Sequence, residues 1–391
     1  MADQLAYAII TPYSLKKSRT GGIISRLVAR SGLRLAGARM YAPSLGLAQE
    51  YAKILQMPGH SGSEYISKLS AEYVLKNFPP SPATGKKNRV MVLLFQGEDA
   101  VCKIRQVAGE LSTDRYGGET ISGTYGDLVS DATTPEKTVY FEPGVLVAST
   151  EEGSALAVRL LSRYYADSGV LTNVERYPAG VKPQITLAMI KPDNFKFPMG
   201  RPGNVIDFFS QTGLSIVGIK VQRMSTAQAV EFYGPVLEVL RTKLSGRVAD
   251  IVKPCIEKAL DSAIDEETTQ KIGNLLCPIY GEKQFDNIVR FMSGRSRSEC
   301  SPSEMNTPGT EESLVLIYEG PDAIARIRKA LGPTDPSKAP PGSIRREFGS
   351  NVMVNAAHAS DSEESVKREM DILIHKTPND FEELCDRFYQ I

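Results

Sequence analysis

Gly97-Glu-Asp-Ala-Val-Cys-Lys-Ile-Arg105 and Gly320-Pro-Asp-Ala-Ile-Ala-Arg-Ile-Arg328 are one segment written twice, identical at Gly, Asp, Ala, Ile and Arg, with V/I and K/R exchanges at two further positions. Each copy follows a strand-like apolar run, VMVLLF at 90–95 and LVLIY at 314–318. Upstream, Gly32-Leu-Arg-Leu-Ala-Gly37 lines up with Gly213-Leu-Ser-Ile-Val-Gly218, and AYAIITP (6–12) with LAMIKP (187–192). A repeat on this scale decides the fold before any single residue does. Each copy reads strand, helix, strand, helix, a loop-rich stretch, strand, helix, strand, helix. Short strands mixed with helices of about ten residues predict two tandem ferredoxin-like α+β domains, helices packed on an antiparallel sheet.

Tyr177-Pro-Ala-Gly-Val-Lys-Pro183, with two prolines and a glycine, reads as the connector. The expected domains are 1–176 and 184–391. Two stretches of the second copy lie outside the repeat: 241–283, helical in period apart from Pro254, and 295–312, a Ser-, Pro- and Gly-rich loop. In the first copy, 52–88 is the corresponding irregular region. Surface elaboration or subunit contact is the expected use of both insertions.

The chain has 391 residues, enough for two cores. Its 46 basic and 46 acidic residues balance, and no basic run marks a nucleic-acid or lipid partner, so neither is expected. Five cysteines without a C-x-x-C pair fit no disulfide framework or zinc site, which points to a reducing cytoplasm. The stretch before Lys16 is too short to read as a signal peptide, and 18 apolar residues never run together.

Histidine chemistry has three candidates, His60, His358 and His375. For His60 and His375 a structural role is the commoner one. His358 lies in Asn355-Ala-Ala-His-Ala-Ser-Asp-Ser362, directly before a helix whose Val366, Met370, Leu373 and Ile374 recur at helical spacing. Ser360 and Glu363 read as a capping box there, so free N–H groups and the positive helix end flank the imidazole, where a phosphate would be held. The Pro- and Gly-rich loop before it carries Thr334 and Arg345, Arg328 projects from the preceding helix, and Lys191 closes strand 185–190. Cations and a hydroxyl can therefore converge on an anionic ligand.

These residues resemble a nucleoside diphosphate kinase over roughly 185–375, the insertions apart. The family signature N-x-x-H-G-S-D-S reads here with Ala359 for glycine; its strand-end K-P-D matches Lys191, Pro192 and Asp193; its arginine, G-x-T-x-P and P-G-T-I-R elements match Arg328, Gly332-Pro-Thr334-Asp-Pro336 and Pro341-Gly-Ser-Ile-Arg345. The resemblance implies a ping-pong cycle through phosphorylated His358, with nucleoside di- and triphosphates as substrates and Mg²⁺ carried on their phosphates rather than by direct protein ligands. It implies that Ser360 and Glu369 orient the imidazole, that Lys191, Arg328, Thr334 and Arg345 clamp phosphate, that Asn355 and Lys191 meet the sugar, that Val352 packs on the base, and that Tyr233 lies on the substrate side. Gln284 falls where the family carries a base-stacking aromatic, with Phe285 beside it. Family members pair through sheets and helices, so the two copies are expected to imitate a dimer within a homo-oligomer.

The first copy lacks this chemistry. Thr11 stands for Lys191, Gly144-Val-Leu-Val-Ala-Ser149 aligns with Asn355 to Ser360 and so puts Val147 at the histidine, and Ser122-Gly-Thr-Tyr-Gly126 replaces the P-G-S-I-R loop, while Arg105 is kept. A catalytically dead structural partner is expected. Two other readings of the whole chain stay open: a weakly catalytic nucleotide-binding scaffold, and a phosphohistidine relay to a protein acceptor.

Overall fold

The repeated G-x-D at the head of the quoted segment has a steric cause. In the computed structural model, Gly97 (φ 153°) and Gly320 (φ 158°) take a backbone conformation that favours glycine, and a Cβ there would press on the side chains of Leu33 at 2.7 Å and Leu214 at 2.6 Å where strand meets helix. Two residues on, Asp99 (φ 55°) and Asp322 (φ 52°) take the left-handed conformation that Asp tolerates better than most residues, and each turns its chain into a helix. The structure describes residues 3–57, 63–111, 118–131, 134, 138–376 and 380–389; His60 lies outside them.

The first copy runs β1 (Asp3–Ile10), α1 (Pro12–Lys16), α2 (Thr20–Ser31), β2 (Arg34–Tyr41), α3 (Leu45–Leu55), α4 (Glu64–Asn77), β3 (Val90–Glu98), α5 (Ala100–Ala108), α6 (Ile121–Tyr125), β4 (Asp127–Ser130), β5 (Thr138–Glu142), β6 (Val145–Val147) and α7 (Glu151–Arg163). The second runs β7 (Gln184–Ile190), α8 (Arg201–Ser210), β8 (Ser215–Gln222), α9 (Thr226–Lys243), α10 (Ser245–Leu260), α11 (Glu266–Ser293), β9 (Ser313–Gly320), α12 (Ala323–Leu331), α13 (Ile344–Phe348), β10 (Ala357–Ala359) and α14 (Glu363–Met370), followed by a π turn over Asp371–His375 and by α15 (Asp380–Tyr389).

The sheets have the orders β2-β3-β1-β6 and β10-β7-β9-β8, the same arrangement of first, second, third and last strands. The central pairs are antiparallel and in matching register, Ala6 opposite Phe95 in one and Leu187 opposite Ile317 in the other. Central strands buried almost throughout explain their unbroken apolar runs. The α+β reading is thus borne out.

Packing divides the chain into two units. One comprises Met1–Val221, Leu314–Arg368 and Thr377–Ile391, and holds both sheets. Within it α2 meets α8 at glycine contacts: a Cβ on Gly21 would lie 2.4 Å from the Gly203 carbonyl oxygen, and one on Gly203 2.2 Å from that of Gly21. The segment after α7 runs between the edge strands, Gly169 N–H donating to the Met40 carbonyl at 3.0 Å and Leu171 N–H to that of Val217 at 2.8 Å. α15 returns to the first sheet, where Tyr389 Oη donates to the Leu5 carbonyl at 2.7 Å.

The other unit comprises Gln222–Ser313 and Glu369–Lys376. Its helices α9, α10 and α11 pack closely enough that a Cβ on Gly281 would lie 2.7 Å from Leu240 backbone. They continue through Pro235, Pro254 and Pro278, so Pro254, the exception to the helical period in the sequence, lies inside a helix. The Ser-rich loop 295–312 is tied down by Ser296, whose N–H donates to Glu299 at 2.9 Å, and by Ser301, whose N–H donates to Glu304 at 2.9 Å. In the first copy 52–88 is not irregular throughout. Ser63 caps α4 by accepting the Ile66 N–H at 3.2 Å, and its buried face is made of Ser67, Ser70, Ala71, Tyr73 and Val74, a mix of small polar and apolar side chains with a weak apolar period.

Candidate active site

The site is organised by the pairing of β10 with β7. His358 stands opposite Met189, Ala357 opposite Ile190, so the histidine sits beside the strand that Lys191 closes. Lys191 is buried; its Nζ donates to Asn355 Oδ1 at 2.7 Å and to the Met353 carbonyl at 3.2 Å. Asn355 spends its other end on two carbonyls, Nδ2 donating to Val352 at 2.8 Å and Thr334 at 3.0 Å. One buried amide thus braces the lysine, the Pro-rich loop and the turn that carries Val352, whose side chain stays 54% exposed. Thr334 is exposed at the start of a short turn over Pro336–Lys338. Ser360 is buried, its N–H donating to the Leu187 carbonyl at 3.1 Å.

Arg345, on α13, joins the loop to the histidine strand. Its guanidinium donates to the Gly332 carbonyl at 3.0 Å and to that of Ala357, next to His358, at 3.2 Å. Burial, and then the Arg345 charge, push Lys191 down to about 8, against the pull of Asp193. Burial raises the Asp193 carboxyl, opposed by Lys191 and by Arg201, whose guanidinium lies 3.9 Å away. Arg328 is exposed in the last turn of α12. A hydrogen bond from Ser365 Oγ at 2.7 Å, then the Arg328 and His358 charges, hold Asp361 below the usual carboxylate range. Lys191, Asn355, His358, Arg345, Thr334, Val352, Ser360 and Arg328 therefore belong to one neighbourhood.

Tyr233 and Glu369 belong to the other packing unit. Tyr233 is buried on α9 with its ring 5.0 Å from that of Phe232, and Glu369 is buried near the end of α14. In that unit Gln284 is half-buried, and Phe285 is fully buried with the Arg297 guanidinium 4.9 Å above its ring. Phe285 is thereby core.

One sequence reading is corrected here. The cap of α14 is Ser362, whose Oγ accepts the Ser365 N–H at 3.1 Å, two residues beyond the Ser360 cap the S-x-x-E spacing had implied. Glu363 instead accepts from Gln184 Nε2 at 3.0 Å. Sequence reasoning also missed Asn194, which directly follows Lys191-Pro-Asp193 and whose Nδ2 donates to the Ala356 carbonyl at 2.8 Å and the Lys191 carbonyl at 3.1 Å. Its position inside the strand-end motif was the available signal.

The first copy repeats the scaffold with other side chains. Strand β6 pairs with β1 so that Val145 faces Ile10 and Leu146 faces Ile9, the register of Ala357 with Ile190 and His358 with Met189. The residue in the histidine's place is therefore Leu146, not Val147, and Gly144 answers to Ala356. A one-residue slip turns every side chain of a strand to the opposite face, which is why the register decides. Helix α6 likewise overlays α13 from its cap onward, so Ser122 answers to Arg345, and its Oγ donates to the Gly109 carbonyl at 3.0 Å as Arg345 donates to that of Gly332. Arg105 pairs with Glu110 at 2.9 Å on the surface. Near Thr11 the buried Glu142 accepts from Tyr73 Oη. Desolvation pushes its carboxyl up to about 7, against hydrogen bonds from Tyr73 and Thr11 and the charge of Arg19, and Asp127 pushes it the same way as burial.

Residues 303–378 match the family model described as "Nucleoside diphosphate kinase". A protein of that name from Campylobacter hominis is 28% identical over 188 residues, 48% of this chain and 92% of the relative. One from Bdellovibrio bacteriovorus is 27% identical over 191 residues, 49% of this chain and 92% of the relative. One from Halalkalibacterium halodurans is 42% identical over 76 residues, 19% of this chain and 52% of the relative.

Proposed function

Because this chain is a member of the nucleoside diphosphate kinase family, we propose that its carboxy-terminal half moves the γ-phosphoryl group of a nucleoside triphosphate to a nucleoside diphosphate through phosphorylated His358. One observation carries the reading: His358, the Lys191 ammonium and the Arg345 guanidinium gather where β7 ends beside β10. In the first half-reaction an imidazole nitrogen attacks the γ-phosphorus in line. A P–N bond forms, the P–O bond to the β-phosphate breaks, and its electron pair leaves with the diphosphate. In the second, a terminal oxygen of an incoming nucleoside diphosphate attacks the phosphorus, the P–N bond breaks, and the pair returns to the ring.

Charge development on the phosphate oxygens is met by Lys191, Arg328 and Arg345, with the Thr334 hydroxyl as a further donor. The side chains gathered here are mainly cationic. A magnesium ion fits such a site only when already carried by phosphate oxygens, and there it neutralises phosphate charge. Asn355 and Lys191 are assigned to the sugar and the exposed Val352 to the base. Ser360 is assigned to hold the ring in one tautomer. The first copy, with Leu146, Thr11 and Ser122 at the corresponding positions, is assigned no turnover.

Purified protein mixed with Mg-ATP is expected to gain an acid-labile phosphoryl group on the His358 peptide and to release GTP when chased with GDP. An adduct that GDP cannot discharge supports transfer to a protein acceptor instead, and no adduct at all supports a nucleotide-binding scaffold.

A further inference from the structure

Ala356 is the one non-glycine residue of the candidate site with positive φ, at 68°, among the described residues. It is fully buried, and the Ala357 N–H donates across it to the Asn355 carbonyl at 2.8 Å, closing a three-residue turn of the strained hand. The turn lies between Asn355, which holds Lys191, and Ala357, which starts the histidine strand. Such strain persists only where neighbours over-determine it. Here the Ala356 carbonyl accepts two hydrogen bonds, from Lys191 N–H at 2.9 Å and from Asn194 Nδ2 at 2.8 Å.

The first copy supplies the control. Ser14, three residues past Thr11 as Asn194 is past Lys191, donates through Oγ to the Gly144 carbonyl at 2.9 Å. The clamp is thus present in both copies with different chemistry. Gly144 could adopt positive φ at no steric cost, yet it is not among the positive-φ glycines. The strained turn occurs only beside the histidine.

We propose that Asn194 is a positioning residue: by holding the Ala356 carbonyl it maintains the strained turn that fixes His358 and Lys191 relative to each other. This rests on reading His358 as the phosphoryl acceptor. Asn194 touches no reacting atom. It is buried, and its amide spans 162 residues of sequence to reach Ala356, so its effect on the reaction is geometric.

The test compares Asn194→Ala, Asn194→Asp and Asn194→Ser in the full chain, with Ser14→Ala as control. Single-turnover phosphorylation by Mg-ATP is read per folded molecule across ATP concentrations, alongside amide exchange at Lys191. Because a misplacement of about 1 Å costs on the order of 100-fold, Asn194→Ala and Asn194→Asp should lower the saturating rate roughly 10- to 100-fold, with half-saturating ATP changed less than about threefold. Lys191 amide exchange should quicken. Asn194→Ser keeps a donor for the carbonyl but, because the Ser14 contact accompanies a relaxed turn, should recover only part of the rate, and Ser14→Ala should leave it unchanged. Asp keeps the side-chain shape without the donor, so it carries the test if Ala does not fold. Wild-type rates and unchanged Lys191 exchange in the Asp variant would overturn the inference. If the wild type forms no adduct, the kinase reading fails separately. The clamp is then judged on Lys191 exchange, where quickening upholds it and no change overturns it.

Discussion

The two sheets share a strand order, a glycine packed against a leucine, a left-handed aspartate and a clamp on the carbonyl that precedes the last strand. They differ in what fills the space beside that strand. Around β10 the chain gathers Lys191, Asn355, Arg345 and His358 and bears a strained turn. Around β6 it has Leu146, Ser122, Thr11 and Ser14, with a relaxed glycine and a buried Glu142. The difference teaches that the scaffold is maintained by packing and main-chain hydrogen bonds, which many side chains satisfy. The proposed chemistry depends on a few residues, Lys191, Arg345 and His358, which the first copy replaces with Thr11, Ser122 and Leu146.

The largest expected effect comes from removing the acceptor. His358→Ala should abolish the acid-labile adduct, and Leu146→His in that background should not restore it, because the first copy has Thr11 and Ser122 where the second has Lys191 and Arg345 and its one matching cation, Arg105, is paired with Glu110; peptide mass mapping reads both. Next is Arg345→Ser, which installs the residue the first copy carries. Ser122 shows that serine can hold the glycine carbonyl, so the variant should fold, while losing a charge-stabilising donor should lower the phosphorylation rate roughly 100- to 1,000-fold.

A smaller effect concerns pH. Lys191 is a base whose burial lowers it to about 8, so it loses its charge as pH rises through that value, and kcat/KM for ATP should fall there. Lys191→Arg should move that limb upward, since arginine stays charged, though at reduced rate. The smallest prediction sharpens the other side of the comparison. Glu142 has a folded value near 7, above the 4.5 of a free glutamate, so the native state is progressively penalised as pH rises from 4.5 to 7, and the penalty is fully present above 7. Glu142→Gln should therefore leave stability unchanged near pH 4 and raise it on the order of 1–2 kcal/mol at pH 8 by urea unfolding, with no change in adduct formation.

Much of this was legible in the sequence because the repeat segment encodes steric necessities. Gly97 and Gly320 stand where the backbone favours glycine, and the apolar runs that lead into them are central strands. His358, Lys191, Asn355 and Arg345 were legible as a set because Lys191 follows a strand, Asn355 and His358 share one short motif, and Arg345 stands at the start of the helix after the Pro-rich loop. Leu146 and Ser122 were misaligned because the loops before β6 and α6 differ between copies, and no anchor fixes register across a three-residue strand. Helix α4 was hidden because its buried face mixes Ser67, Ser70 and Ala71 with Tyr73 and Val74, which blurs the apolar period. The Ser362 cap was missed because Ser360 and Glu363 offered the same spacing. Asn194 was missed, although it adjoins Lys191-Pro-Asp193, because its partner is the Ala356 carbonyl, which carries no side-chain signal.

The claim most open to contradiction is that one copy alone carries the chemistry. The measurement is the number of acid-labile phosphoryl groups per chain after saturation with Mg-ATP, mapped by peptide. One group, confined to the peptide containing His358 and dischargeable to GDP, is the predicted result; a second group in the first copy, or none on His358, would contradict it.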